Sequence, residues 1–254
     1  MVMNKFTNIV YSHSEYFDVL DIFLEQQKKF GIENYTIFSD KTLEGVPNDF
    51  ILYQDEKAYT DRLKSCILQV EDDVILYQHE DMFLYEKPDI NTLEKYVDYL
   101  RDSEYSFLRL CKTGNCKLSF ANVNLYEIDP ASPDFFAVQP TLWKTKDFLS
   151  FLDCAGEKNI WDLELHSSQI KHDIKGLMHY KNEEPRGGHF NSSVWPYVAT
   201  AIVKGGWNFR EYPVELSRID KVKDSKRGKF LFFRARFQQS FIQISLFYTI
   251  NCSN

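Results

Sequence analysis

The chain is poor in the residues that punctuate or cross-link a fold. Its 254 residues include only 10 Gly, 8 Pro and 5 Cys, with no internal repeat and no low-complexity segment. The cysteines (Cys66, Cys111, Cys116, Cys154 and Cys252) are odd in number, and only Cys111 and Cys116 lie near each other, at a spacing that is weak for a metal site. This argues against a disulfide framework and for free thiols in a reducing compartment, the cytoplasm (the host cytoplasm if the chain is viral). Asn4, Lys5 and Asn8 interrupt the start, so no signal peptide is expected. Nothing approaches the roughly 18 uninterrupted apolar residues of a membrane span, and no integral membrane segment is expected. Positive charge is also in deficit: the formal net charge is −7, which disfavours a nucleic-acid partner held by counterion release. The one basic cluster, Lys221 to Arg236, is mixed with Phe and reads first as a solvated helix or loop.

Core-forming residues, in contrast, are plentiful, with 21 Phe and 15 Tyr. Apolar runs predict strands at Phe6–Tyr11, Tyr35–Phe38, Phe50–Tyr53, Val74–Tyr77 and Tyr105–Leu110. Helical spacing separates them at Tyr16–Phe30, Ala58–Val70 and about Asn91–Leu100, the last with Asp89 as N-cap. Strand and helix thus alternate through the first 110 residues, the pattern of a parallel sheet covered by helices. Further on, Cys116–Glu127 reads as a hairpin arm, Phe135–Pro140 as strand-like, Trp143–Leu152 as a helix, Ile174–Tyr180 as a strand and Trp195–Val203 as helical. Phe230–Phe247 reads as a helix or strand packed on the body.

The organising stretch is Val74-Ile75-Leu76-Tyr77-Gln78-His79-Glu80-Asp81, a buried strand ending in an imidazole and two carboxylates. In an open α/β sheet, ligands bind beyond the carboxyl ends of the strands. The first and second strands also end in polar residues, at Ser12 and Asp40, so one crevice collects them all. Hard cations such as Mg²⁺ or Mn²⁺ take oxygen ligands, and Mn²⁺ tolerates an imidazole, which makes Asp81 and His79 candidate ligands with Glu80 beside them. Asp40 is a candidate for a nucleobase or ribose contact, its alternative being a turn residue before Lys41. Arg62, on the helix leading into the organising strand, is a candidate for pyrophosphate or base, or else a surface ion pair. Asp162 and Glu164, beside Trp161, are candidates for a general base, with Glu164 favoured; the alternative is an acidic helix start. His179 and His189 remain candidate third ligands.

Four blocks resemble the GT-A-fold glycosyltransferases that use nucleotide sugars, in particular small polysaccharide-type enzymes of bacteria and large algal (chlorella-type) viruses. They are Tyr59–Leu63, Ile75–Leu84 at the DXD position, Phe136–Trp143 and Trp161–Glu164, in a match running from about residue 6 to 210. The resemblance implies that Asp81 binds Mn²⁺ or Mg²⁺ on the donor diphosphate and that Asp40 contacts the base. It further implies that Glu164 or Asp162 is the base of an inverting enzyme. His79 stands where an Asp is usual, which leaves room for a metal-weak variant.

The expectation is an α/β protein of GT-A type: a Rossmann-like, mostly parallel sheet flanked by helices in a single domain. Residues 1–110 would bind the nucleotide sugar through Ser12, Asp40, Arg62, His79, Glu80 and Asp81. Residues 111–220 would serve acceptor and catalysis, and 221–254 would be a tail. The expected activity is metal-assisted hexosyl transfer from a UDP-sugar to a hydroxyl of a glycan or glycoprotein. One rival is a sugar nucleotidyltransferase, but Ser12-His13-Ser14-Glu15 lacks that class's Gly-rich basic loop. The other is a non-catalytic carbohydrate- or nucleotide-sugar-binding protein of the same fold.

Overall fold

The computed structural model describes residues 5–114, 118–186, 189–199, 202–203 and 206–207. By packing, residues 1–197 form one compact unit, and everything below concerns that unit unless stated. Its elements are β1 (Thr7–Tyr11), α1 (Phe17–Lys29), β2 (Thr36–Ser39), β3 (Asp49–Leu52), α2 (Tyr59–Ile67), β4 (Val74–His79) and β5 (Met82–Leu84). There follow α3 (Ile90–Asp102), β6 (Phe107–Arg109), β7 (Ser119–Asn122), β8 (Leu125–Ile128), β9 (Thr141–Lys144), α4 (Thr145–Ala155), α5 (Ile160–Leu165) and β10 (Gly176–His179).

Nine strands form one sheet in the order β3-β2-β1-β4-β9-β6-β10-β8-β7. β3, β2, β1 and β4 are parallel, β9 is antiparallel to both β4 and β6, and β10 is parallel to β6. The fold is α/β, a mostly parallel, Rossmann-like sheet flanked by helices, as its alternating pattern predicts. The sheet runs unbroken across residue 110. Val74, Ile75 and Leu76 have no exposed surface, because a central parallel strand is covered on both faces and needs no polar alternation. α3 buries Leu93, Tyr96, Val97 and Leu100 on one stripe, and Asp89 caps it by accepting from the Thr92 N–H at 3.1 Å. Trp143 of β9 anchors the core, stacked between Phe107 at 4.4 Å and Phe148 at 4.3 Å. Gly176 lies so close beside the Phe107 ring that an added Cβ would come within 2.1 Å of it.

The chain leaves β1 for β2 and then β3 on one side, and returns to β4 on the other side of β1. That reversal is a topological switch point, where open sheets leave a crevice at their carboxyl edge. Ser12, Asp40, Tyr53 and His79–Asp81 follow the carboxyl ends of β1, β2, β3 and β4, while Arg109 and His179 end β6 and β10.

Three expectations need correction. Phe135–Pro140 is no strand: Phe135 and Phe136 are buried, but the Asp134 and Phe135 carbonyls accept from the Arg109 side chain instead of a neighbouring strand. Trp143 is in β9, and the helix expected from it starts only at Thr145, because the Thr141–Lys144 segment fills the gap between β4 and β6. The helix expected over Trp195–Val203 is not found in its described residues: Tyr197–Ala199 is extended, and in the second unit Ile202–Val203 pairs antiparallel with Gly206–Trp207, as the aromatic and β-branched Tyr197, Val198, Ile202 and Val203 favour. The segments Lys221–Arg236, Phe230–Phe247 and the 221–254 tail lie outside the described residues, as do Cys116 and Cys252. Cys66, Cys111 and Cys154 are free thiols. Among the described residues no helix is long and apolar enough to cross a membrane.

Candidate active site

The strand ends at the β1/β4 crossover carry an aromatic cluster. Tyr11 stacks on Tyr53 at 5.3 Å and 5°, meets Tyr59 edge-on at 5.0 Å, and stacks on His79 at 5.2 Å. His79 Nε2 meets the hydroxyls of Tyr77 at 2.7 Å and Tyr59 at 3.0 Å, and these two hydroxyls touch each other. Burial holds the imidazole neutral, its pKa lowered to about 3. The Nε2 of this candidate metal ligand is therefore engaged by tyrosines. Burial likewise raises Tyr11 to about 12, against the opposing influence of Tyr53 and Arg62.

Arg62 lies over the Tyr53 ring at 5.3 Å and pairs with Asp55 at 3.0 Å. His13 Nε2 reaches the same Asp55 at 3.2 Å and lies 3.9 Å from Asp40. Asp40 closes the loop after β1, accepting from the Ser14 N–H at 2.6 Å and the Ser14 hydroxyl at 2.7 Å. Its burial would raise its pKa, but the two Ser14 bonds and the His13 charge outweigh this and lower it. Ser12 is buried, with its carbonyl accepting from the Tyr53 hydroxyl at 2.7 Å.

Across the crevice, α5 delivers the other carboxylate. The preceding turn is tied to α2: Thr60 Oγ1 donates to the Gly156 carbonyl at 2.9 Å and accepts from the Lys158 N–H at 3.0 Å. Asn159 caps α5 by accepting from the Asp162 N–H at 2.9 Å, and its side-chain amide donates to Asp162 Oδ2 at 2.6 Å. Asp162 is thus an exposed residue of the helix start. Glu164 points inward, where its Oε1 accepts from the Val138 N–H at 2.6 Å. Burial raises its pKa, opposed by that bond and by the Arg109 charge. Asp81, after β4, is raised to about 6 by burial, and the Glu164 charge adds to the shift. The partly buried Asp81 thus feels the charge of a carboxylate from the other half of the chain. Glu80 is buried beside them.

Of the predicted residues, the fold gathers Ser12, Asp40, Arg62, His79, Glu80 and Asp81 at one edge and brings Glu164, but not Asp162, toward Asp81. The two further histidines have other partners. His179 Nδ1 meets Tyr96 at 2.9 Å, and its Nε2 meets Glu183 at 2.9 Å and Ser193 at 3.0 Å. His189 stacks on Tyr197 at 5.7 Å, its pKa lowered to about 4 by burial. Among the described residues, no three His, Cys, Asp or Glu side chains converge as a metal-binding group. Asp81 still suits a divalent cation of the kind that takes one or two carboxylates and completes its shell with substrate phosphate and water. Arg109 and the tyrosines went unnoticed in the sequence. The signal for Arg109 was a lone cation in the apolar run Phe107-Leu108-Arg109-Leu110.

The chain matches no protein-family model and no curated protein. It is similar in structure to CMP:2-keto-3-deoxy-manno-octonic acid synthetase complexed with CTP, at 12% identity and a TM-score of 0.43, over 68% of this chain and 88% of that one. It is also similar to UDP-glucose pyrophosphorylase complexed with UDP-glucose, at 11% identity and 0.43, over 68% and 90%. A third likeness is to residues 1–349 of S. aureus TarS, at 10% and 0.43, over 68% and 60%.

Proposed function

We propose that the chain is a glycosyltransferase that moves a hexosyl group from a nucleoside-diphosphate sugar, a UDP-sugar in this reading, to a hydroxyl of a glycan or glycoprotein acceptor, with inversion. The observation that carries the reading is the gathering of the strand-end residues Ser12, Asp40 and Asp81 at the β1/β4 crossover, with the charge of the half-buried Glu164 felt at Asp81. Two carboxylates whose environments differ are the raw material of divided acid–base roles. Glu164, on a short helix facing the crevice, takes the proton of the acceptor hydroxyl. The freed oxygen attacks the anomeric carbon as the bond from that carbon to the diphosphate oxygen breaks. Asp81 would hold a Mn²⁺ or Mg²⁺ ion, which when bound neutralises charge on the departing diphosphate. Arg62, seated on the Tyr53 ring at the edge of the buried tyrosine cluster, would meet the nucleotide's phosphates by exchanging its Asp55 partner for them.

The nucleotidyltransferase alternative is disfavoured by the loop after β1. Its Ser14–Tyr16 helical turn is closed on Asp40 and provides no open, Gly-rich phosphate cradle. A panel of nucleotide sugars, screened by thermal shift with and without Mn²⁺ and followed by transfer and hydrolysis assays, tests the reading. The expected result is a donor-specific, Mn²⁺-enhanced rise in melting temperature together with sugar transfer. Binding without turnover would favour a carbohydrate-binding protein. Nucleoside triphosphate released from the nucleotide sugar by added pyrophosphate would favour nucleotidyl transfer.

A further inference from the structure

Arg109 ends β6 with 1% of its surface exposed, and among the described residues its three hydrogen-bond acceptors are all uncharged oxygens. Nη1 donates to Thr113 Oγ1 at 2.5 Å, and Nη2 donates to the carbonyls of Asp134 at 2.9 Å and Phe135 at 2.7 Å. Among the described residues, Nε has no acceptor within reach. A buried guanidinium bonded only to neutral oxygens is expensive unless negative charge stands nearby. The carboxylates of Glu164 and Asp134 act on it through space.

The carbonyls it holds belong to the segment that sequence reading takes for a strand. Three residues after Phe135, that segment presents the Val138 N–H to Glu164 Oε1 at 2.6 Å. A second tie, from the Phe136 N–H to Ser167 Oγ at 3.1 Å, joins the same segment to the turn that follows α5. Thr141, opposite Arg109 in the β6/β9 register, resumes regular pairing just beyond. The irregular segment thus hangs between Arg109 on one side and the end of α5 on the other.

We infer that Arg109 is the positioning residue of Glu164: it fixes the 134–138 segment whose Val138 N–H orients the carboxylate. This rests on Glu164 as the proton acceptor for its catalytic meaning, but the geometry can be tested without turnover. A lysine at this position keeps the charge but cannot span Thr113 and two carbonyls at once.

The experiment compares the full-length parent with Arg109→Lys by amide hydrogen exchange read residue by residue. Arg109→Lys should speed exchange at the Val138 amide about tenfold or more while β1 and β4 amides keep their protection. In transfer assays it should lower kcat about tenfold or more with donor KM within twofold, since misplacing a reacting group costs rate more than binding. A second measurement leaves Arg109 in place: Glu164→Gln should move the Arg109 side-chain Nε resonance in a nitrogen NMR spectrum. Folded Arg109→Lys with parental Val138 exchange overturns the inference. If Arg109→Lys does not fold, the Glu164→Gln spectrum decides, and an unmoved Arg109 resonance overturns it. If the parent transfers no sugar, the glycosyltransferase reading falls, and the Val138 and Arg109 signals alone decide the positioning role.

Discussion

His79 lies stacked on Tyr11 at the last register pair of β1 and β4, its ring 5.2 Å away and its Nε2 held by the hydroxyls of Tyr77 and Tyr59. The crossover is thus lined by a tyrosine cluster closed around one neutral imidazole. The position where the resemblance expects a metal-binding acid instead ties these tyrosines together at the strand ends.

Removing the His79 acceptor leaves one of the two mutually bonded, buried tyrosine hydroxyls without an acceptor, so His79→Ala should cost about 1–3 kcal/mol in urea unfolding. Acid sensitivity gives a sharper test. The folded pKa is depressed to about 3, below the unfolded value near 6.5. The neutral imidazole therefore contributes stability above pH 6.5 that is lost as pH falls toward 3. His79→Gln should flatten the stability profile across that window relative to the parent. His189, lowered to about 4, titrates in the same range and is common to both proteins, so the difference isolates His79. Parental stability and an unchanged acid profile in both variants would remove His79 from this role.

Much of the fold was legible because burial and periodicity coincide where elements are regular. The continuous apolar run of β4 marks a strand covered on both faces, and Asp89 marks the start of α3. Phe135–Pro140 misleads because hydrophobicity reports burial, not conformation: the Arg109 side chain takes the Phe135 carbonyl and the Gln139 N–H takes that of Ala137. The site was partly legible: polar strand ends flagged Asp40 and Asp81, and Glu164 was favoured over Asp162. The pairing of Asp162 with Asn159 depends on helix-start geometry. The Tyr11–Tyr53–Tyr59–Tyr77 cluster depends on register between elements far apart in the chain, which no local pattern reports.

Asp40 offers a test between reading a ligand and bracing a loop. Both of its oxygens are used by Ser14. Asp40→Ala should weaken nucleoside-diphosphate binding by about 1.5–3 kcal/mol, the scale of a hydrogen bond to a charged group. If Asp40 acts by holding the loop, Ser14→Ala should produce a smaller loss of the same kind, measured by titration calorimetry. If Asp40 touches the nucleotide directly, Ser14→Ala should bind like the parent. Full affinity in Asp40→Ala would leave it a turn residue.

Asp81 should reveal itself through metal and pH together. Its folded pKa near 6 lies above the unfolded value near 3.9, so its contribution to stability is present below pH 4 and lost as pH rises through 6. Asp81→Asn should therefore stabilise the metal-free protein at pH 7–8, by on the order of 2–3 kcal/mol, and leave it unchanged below pH 4. The same variant should lose the Mn²⁺-dependent gain in nucleoside-diphosphate affinity. An Asn variant that melts lower than the parent at pH 8, or keeps the Mn²⁺ effect, would contradict the assignment.

The last prediction separates the two acids of α5. Glu164 is half-buried, with the Val138 N–H on one oxygen and its charge felt at Asp81, whereas Asp162 faces solvent and pairs with the helix cap. A positioned base contributes roughly 10²–10⁴-fold to rate. Glu164→Gln keeps the shape and the Val138 bond but removes basicity, so kcat should fall within that range. Donor affinity should stay close to parental, because the proposed donor contacts, Asp40, Arg62 and Asp81, come from the first half of the chain. Asp162→Asn keeps an oxygen for the cap and should transfer within about twofold of the parent, as exposed substitutions away from the chemistry usually do. Steady-state kinetics with calorimetric donor binding on the same preparations reads both quantities. Parental turnover in Glu164→Gln would move the base elsewhere. Equal losses of binding and turnover would make Glu164 a brace of the donor pocket, because removing a base should change the rate and leave donor binding intact.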